Sequence, residues 1–342
     1  MRKLLIAGCL LMLVSAGCSL SAPLSRPVDS EPSPLPAPVV EDPPPCWGAD
    51  LIYHPQLQQM LLVNCVSDPR EKPYLTLWSW NGTHWQRIIE GGPPGRMLGA
   101  AAYDEKRNVL VVYGGRRVPT GRCDPETWEW DGVVWTLKAV EPPTACDHVQ
   151  MVYDPVLGES VLFSGLDRSQ KRIDETWSWN GETWKLLSQN GPKSRGHFGF
   201  VYDPSHEQIL MYGGYANIVT DDFWTWKDGD WRELKLPGPN PGRLSHFGMT
   251  YDAGTNALYI FGGATKTATF ISLTNTTWVW KEGVWRELSP AYSPSERGKP
   301  AMGYDPLRKR IVLYGGVDAN KQELGDTWEW DGQNWTCVSH CP

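Results

Sequence analysis

"DTWEWDGQNW", residues 326–335, places three tryptophans in ten residues, in a chain of 342 residues with 19 tryptophans. Five earlier stretches repeat it: "LWSWNGTHW" at 77–85, "TWEWDGVVW" at 127–135, "TWSWNGETW" at 176–184, "FWTWKDGDW" at 223–231 and "TWVWKEGVW" at 277–285. The six copies hold 18 of the 19 tryptophans, and only Trp47 falls outside. A tyrosine precedes each copy: Tyr53, Tyr103, Tyr153, Tyr202, Tyr251 and Tyr304, spaced by 50, 50, 49, 49 and 53 residues. Between tyrosine and tryptophans runs an apolar segment that ends in Gly-Gly in four copies, such as "VLVVYGG" and "IVLYGG". In copy three Ser164 replaces the first glycine, and copy one, "MLLVNC", has none. A fixed period near 50 outranks any local motif and implies one body of six units.

Each unit reads as four short strands. In 195–235, "GHFGFVYD" ends in a turn at Asp203-Pro204, and "QILMYGG" is ended by its glycines. A variable polar loop leads to "FWTWK", whose tryptophans, two apart, share a face; "DWREL" follows. Six such sets predict an all-β, six-bladed β-propeller of four-stranded antiparallel blades. If the second and third tryptophans of a copy face each other across a hairpin, the loop residues are Asp228-Gly229 and Glu282-Gly283, or pairs that begin with Gly82, Gly132, Gly181 or Gly332. Glycine second suits a type I′ turn and glycine first a type II′ turn. The tryptophans read as packing between blades. A buried Trp covers about 150–250 Å², an upper limit of roughly 4–6 kcal/mol.

The repeat of Gly-Gly after an apolar strand, then spaced tryptophans, resembles the kelch family. A bacterial-style pattern of Arg, His, Tyr-Asp, Gly-Gly and Trp-x-Trp is almost complete in copies two, four and five. The resemblance covers 46–342; copy one departs most and is the expected seam of the ring. It implies a propeller whose innermost strand carries Tyr-Asp. It implies no single function, since the family includes adaptor propellers, the central domain of galactose oxidase and a sialic-acid mutarotase.

Residues 1–17 read as an export signal, with Arg2 and Lys3 ahead of an apolar run to Val14. "SAGC" at 15–18 resembles a lipoprotein cleavage site, with Cys18 as the lipidated residue. "IAGC" at 6–9 and an ordinary cleaved signal are the competing readings. Ser19 after Cys18 implies the outer membrane in a Gram-negative cell. Residues 18–45, rich in proline, read as a tether, and 46–342 as the propeller. The formal net charge of −7 disfavours nucleic acid and anionic lipid as partners.

Six further cysteines in an exported chain suggest disulfides. The hairpin frame pairs Cys46 with Cys65, brings Cys123 and Cys146 to one face, and leaves Cys337 with Cys341. A rival joins Cys46 to Cys337 or Cys341 and closes the ring covalently. Without a Cys-x-x-Cys pair, neither a zinc site nor a thioredoxin-like site is expected.

Two columns of the repeat offer candidate ligand-binding residues near the channel mouth. His148, His197 and His246 each stand five residues before the repeat tyrosine. They read either as ligand or metal contacts or as one structural hydrogen bond repeated; the second reading leads, and no metal or cofactor is expected. Arg96, Arg195, Arg243 and Arg297 stand seven or eight residues before theirs. They would grip an acidic peptide or anionic sugar, or form salt bridges from blade to blade. The loops 66–76, 116–126, 166–175, 215–222, 264–276 and 317–326 vary on a constant scaffold, where binding commonly sits. No phosphate loop, Gly-x-Ser-x-Gly or His-Glu-x-x-His occurs, and the sialidase Asp-box is echoed only in part. The leading expectation is a non-catalytic, lipid-anchored envelope propeller that binds a protein or glycan. The alternative is a sugar-active enzyme, mutarotase- or epimerase-like, with Arg and His at the mouth.

Overall fold

The structure is a computed structural model, and it describes residues 39–65, 74–266 and 271–341. The signal, Cys18 and most of the tether lie outside the described residues, as do parts of two loops. No helix occurs among the described residues. Six contiguous stretches each fold into a four-stranded antiparallel sheet. The innermost strands are Asp50–His54, Ala100–Asp104, Gln150–Asp154, Gly199–Asp203, Gly248–Asp252 and Ala301–Asp305. Each inner strand touches the next, and the last touches the first, so the sheets close into a ring. These sheets are called blades one to six below.

The tryptophan hairpins explain the sheets locally. In every blade the second and third tryptophans are direct cross-strand partners, as in Trp226↔Trp231 and Trp330↔Trp335. Asp228 and Gly229 both take positive φ, 54° and 78°, as a type I′ turn needs. Gly132 takes 98° as the first loop residue of the other class, while Asp131 Oδ1 accepts the backbone N–H of Val133 and Val134. At the other end of the inner strand, Asp305 Oδ1 accepts the N–H of Leu307 and Arg308. This turn capping accounts for the Tyr-Asp pattern. Blade one substitutes His54, whose Nδ1 accepts from Leu57.

Packing then assembles the ring. Six apolar clusters form, one at each interface between adjacent blades. Trp78, Trp80 and Trp85 of blade one pack with Val312 and Tyr314 of blade six, and Trp280 and Trp285 pack with Tyr212 and Phe223 of blade four. Trp80, Trp130 and Trp179 are wholly buried. The third tryptophan also donates across the interface: Trp85, Trp184, Trp231 and Trp335 bond the hydroxyls of Thr327, Thr127, Thr176 and Thr277. Each acceptor is the first residue of the preceding blade's Thr-Trp-x-Trp. Leu77 and Phe223 break this rule. Trp135 consequently has a buried indole N–H without a partner among the described residues, and Trp285 meets the Phe223 ring instead.

The packed ring starts earlier than residue 46. Val39–Val40 adds a strand to the outer edge of blade one, and the Tyr314 hydroxyl donates to the carbonyls of Pro43 and Pro44. A buried tyrosine hydroxyl needs an acceptor, and proline's carbonyl supplies one without its missing N–H. The disulfides join Cys46 to Cys65, Cys123 to Cys146 and Cys337 to Cys341, with Cα separations of 5.6, 5.8 and 5.7 Å. Cys123–Cys146 ties the loop of blade two to the segment leading into blade three.

Candidate functional site

The segment leading into each inner strand defines one end of the central channel. Its last residue is Gly48, Leu98, His148, His197, His246 or Lys299, and all six take left-handed φ between 55° and 68°. Histidine tolerates this conformation better than most side chains, which gives the column a backbone reason for it. The same residues knit neighbouring blades: His148 N–H donates to Leu98 O, His246 to His197, Lys299 to His246 and Gly48 to Lys299. The bond between neighbouring leading segments is made by the backbone, at four of the six positions, and not by the imidazoles. The imidazoles are left half-buried at the mouth.

There the rings meet one another. His197 and His246 stack with centroids 3.7 Å apart, and His148 meets His197 edge-on at 4.8 Å. Burial pushes His246 down to about 3, helped by the positive charge of Lys299 and His148. His197 is held well below the ordinary histidine range, by burial first and then by His246, Lys299 and His148. Both are neutral at pH 7, so each offers one donor and one acceptor and no charge. Asp147 Oδ1 lies 2.8 Å from His148 Nδ1, and its other oxygen accepts from Arg116 in the loop of blade two. Ser245 Oγ lies 2.9 Å from His246 Nδ1. Among the described residues no three His, Cys, Asp or Glu side chains converge as a metal ion would require.

The arginines are elsewhere. Arg96, Arg195 and Arg297 are at most 3 % exposed and sit inside their own blades. Arg297 donates to both oxygens of Asp326 at 2.7 and 2.8 Å and to Gly315 O. Arg195 pairs with Asp222 and Gly213 O, and Arg96 with Glu126 and Gly114 O. The expected blade-to-blade bridge is thus a bridge within one blade. The same acids accept Trp128, Trp224 and Trp328. A guanidinium whose donors are consumed in this way cannot grip a ligand. Arg243 is exposed because blade five carries one extra residue here, and Leu244 fills the buried place.

The variable loops gather on the mouth side. Leu166, Tyr215, Ala264 and Val317 bridge to Asp147, Gly196, Ser245 and Gly298 of the leading segments. Sequence reasoning missed Lys299 and Trp47. Lys299 occupies the histidine column of blade six, five residues before Tyr304, and reading that column through all six copies finds it. Its ammonium lies 3.7 Å from the Trp47 ring centroid, and burial pushes it down to about 8.

No family model and no curated protein sequence matches the chain. Among solved structures it is similar to that of YjhT, at 11 % identity and a TM-score of 0.68, covering 87 % of this chain and 99 % of that one. At that identity the likeness speaks to the fold, a propeller of four-stranded sheets.

Proposed function

We propose that the chain is a non-catalytic binding propeller of the bacterial envelope. A lipid on Cys18 would hold it to the membrane, and the mouth side of the ring would take a protein or glycan partner. One observation carries the reading: half-buried imidazoles, Lys299 and Trp47 gather at the open end where the variable loops also lie. The arginine column beside them is buried within the blades. The three disulfides support an oxidising compartment outside the cytoplasm.

Capture with the lipid-free mature protein, on a glycan array and from envelope extracts, tests this. A partner retained by wild type and lost in Trp47→Ala, with an unchanged melting temperature, supports it. Failure of Trp47→Ala to weaken any captured partner contradicts it.

A second reading, a sugar-active mutarotase or epimerase, draws on the neutral His197–His246 stack, whose imidazoles each offer one donor and one acceptor to a sugar hydroxyl. Three of its four arginines, Arg96, Arg195 and Arg297, are already committed to carboxylates. Exchange of sugar anomers above the buffer rate, abolished in His197→Asn, would favour this reading over the first.

A further inference from the structure

Residues that break the repeat gather on one side of the channel. Trp47 is the single tryptophan outside the six copies. Lys299 is the single lysine in a column otherwise filled by glycine, leucine and histidine. Asp50 stands where the other inner strands have Ala100, Gln150, Gly199, Gly248 and Ala301. Asn64 stands where the others have glycine or Ser164, and it keeps their left-handed φ at 62°. A scaffold explanation covers a residue that recurs in the repeat. It does not cover four departures that meet in blade one and at its border with blade six.

These departures also interact. Asn64 Nδ2 donates to Asp50 Oδ2 at 2.8 Å, while Asp50 Oδ1 has no partner among the described residues. Gly48 N–H donates to Lys299 O, which sets the base of Lys299 beside blade one. The Lys299 ammonium rests on the Trp47 face and has no carboxylate partner among the described residues. Asp50 lies two residues into the strand from Gly48, about 7 Å deeper at the usual rise. Both charges border the same cavity of about 620 Å³, yet they form no ion pair with each other. The third charged side chain on that lining, Glu105, is exposed at the opposite rim.

Burial acts against both groups, raising Asp50 to about 7 and lowering Lys299 to about 8. Two desolvated charges of opposite sign are therefore held apart on residues that line one cavity, with no counter-charge paired to either among the described residues. We propose that this side of the channel binds a small zwitterion, its ammonium on Asp50 Oδ1 and its carboxylate on Lys299, with Trp47 steadying the lysine. The site lies inside the channel, and it stands whether or not a larger partner docks on the loops.

Calorimetric titration of the mature protein at pH 7.5 tests it with straight-chain ω-amino acids of graded length: 4-aminobutyrate, 6-aminohexanoate and 8-aminooctanoate. Butylamine and butyrate serve as single-charge controls. One length binds at least tenfold more tightly than either control, and Asp50→Asn and Lys299→Met each weaken it at least tenfold. Asp50→Asn keeps the shape and the Asn64 contact, and thermal melting verifies that both variants fold. No binding at any length, a single-charge control that matches the best amino acid, or wild-type affinity in both variants overturns the proposal. Loss of zwitterion binding with retention of a captured loop-face partner would remove this inference alone.

Discussion

Two columns of the repeat, two residues apart, have opposite fates. The first holds Cys46, Arg96, Cys146, Arg195, Leu244 and Arg297, each at most 3 % exposed. The second holds Gly48, Leu98, His148, His197, His246 and Lys299, each half-buried at the mouth. The left-handed residue turns the chain from the leading segment into the inner strand, so a step of two residues crosses from the blade interior to the channel. The first column shows three ways to fill one buried site: a guanidinium paired with a carboxylate, a disulfide sulfur, or leucine. The second carries groups whose surroundings differ from blade to blade. Scaffold and site are thus separated along the chain by a single peptide unit on either side of one intervening residue.

The sharpest way to break this comparison is to unpair the first column. Asp326→Ala strands Arg297 in the interior and costs about 3–5 kcal/mol in urea unfolding. Arg297→Leu with Asp326→Thr copies Leu244 and Thr276 of blade five. It should recover most of that loss. A double variant as unstable as the single would show that the column is not interchangeable between blades.

The disulfide solution is next. Cys123→Ser with Cys146→Ser removes a link of sequence separation 23 and costs about 2–4 kcal/mol. Protection from hydrogen exchange should fall at the border of blades two and three before it falls elsewhere. Equal loss in all blades would contradict a local staple.

The second column responds to pH instead. The unfolded chain takes up protons at histidine near 6.5, whereas burial delays His246 to about 3 and His197 to well below its ordinary value. The unfolded state therefore binds more protons across that window, and folding stability falls as pH drops through it. Between pH 7 and pH 5 the pair should cost about 1–2 kcal/mol, discounted because the mouth admits water. His197→Asn with His246→Asn keeps residues that tolerate left-handed φ and should flatten this acid slope. An unchanged slope would place the titrating groups elsewhere.

The smallest effect sharpens the interface rule. Leu77→Thr gives the Trp135 indole the acceptor that four other blades already have and should add about 1 kcal/mol. A loss of stability would mean that the apolar contact of Leu77 outweighs the missing hydrogen bond.

The scaffold was legible because its rules are local and repeated. Paired tryptophans and shifting turn glycines each follow from hairpin geometry, and the structure shows both. Three of the arginines form the salt bridges that their alternative reading allows, but inside one blade and away from the mouth, because the left-handed turn separates them from the channel. A signal was present: Arg96, Arg195 and Arg297 are each matched by an acid two residues before the first tryptophan, at Glu126, Asp222 and Asp326. Blade five has neither partner, with Leu244 and Thr276 in their places. Lys299, Trp47 and Asp50 were hidden for the opposite reason. A search for repetition passes over the residues that depart from it.

Phenylglyoxal labelling of the folded mature protein, read by peptide mass spectrometry, tests the separation of scaffold from site most directly. The account predicts labelling of Arg243, with Arg96, Arg195 and Arg297 protected until denaturant unfolds the ring. Labelling of those three in the folded protein at the rate of Arg243 would contradict it.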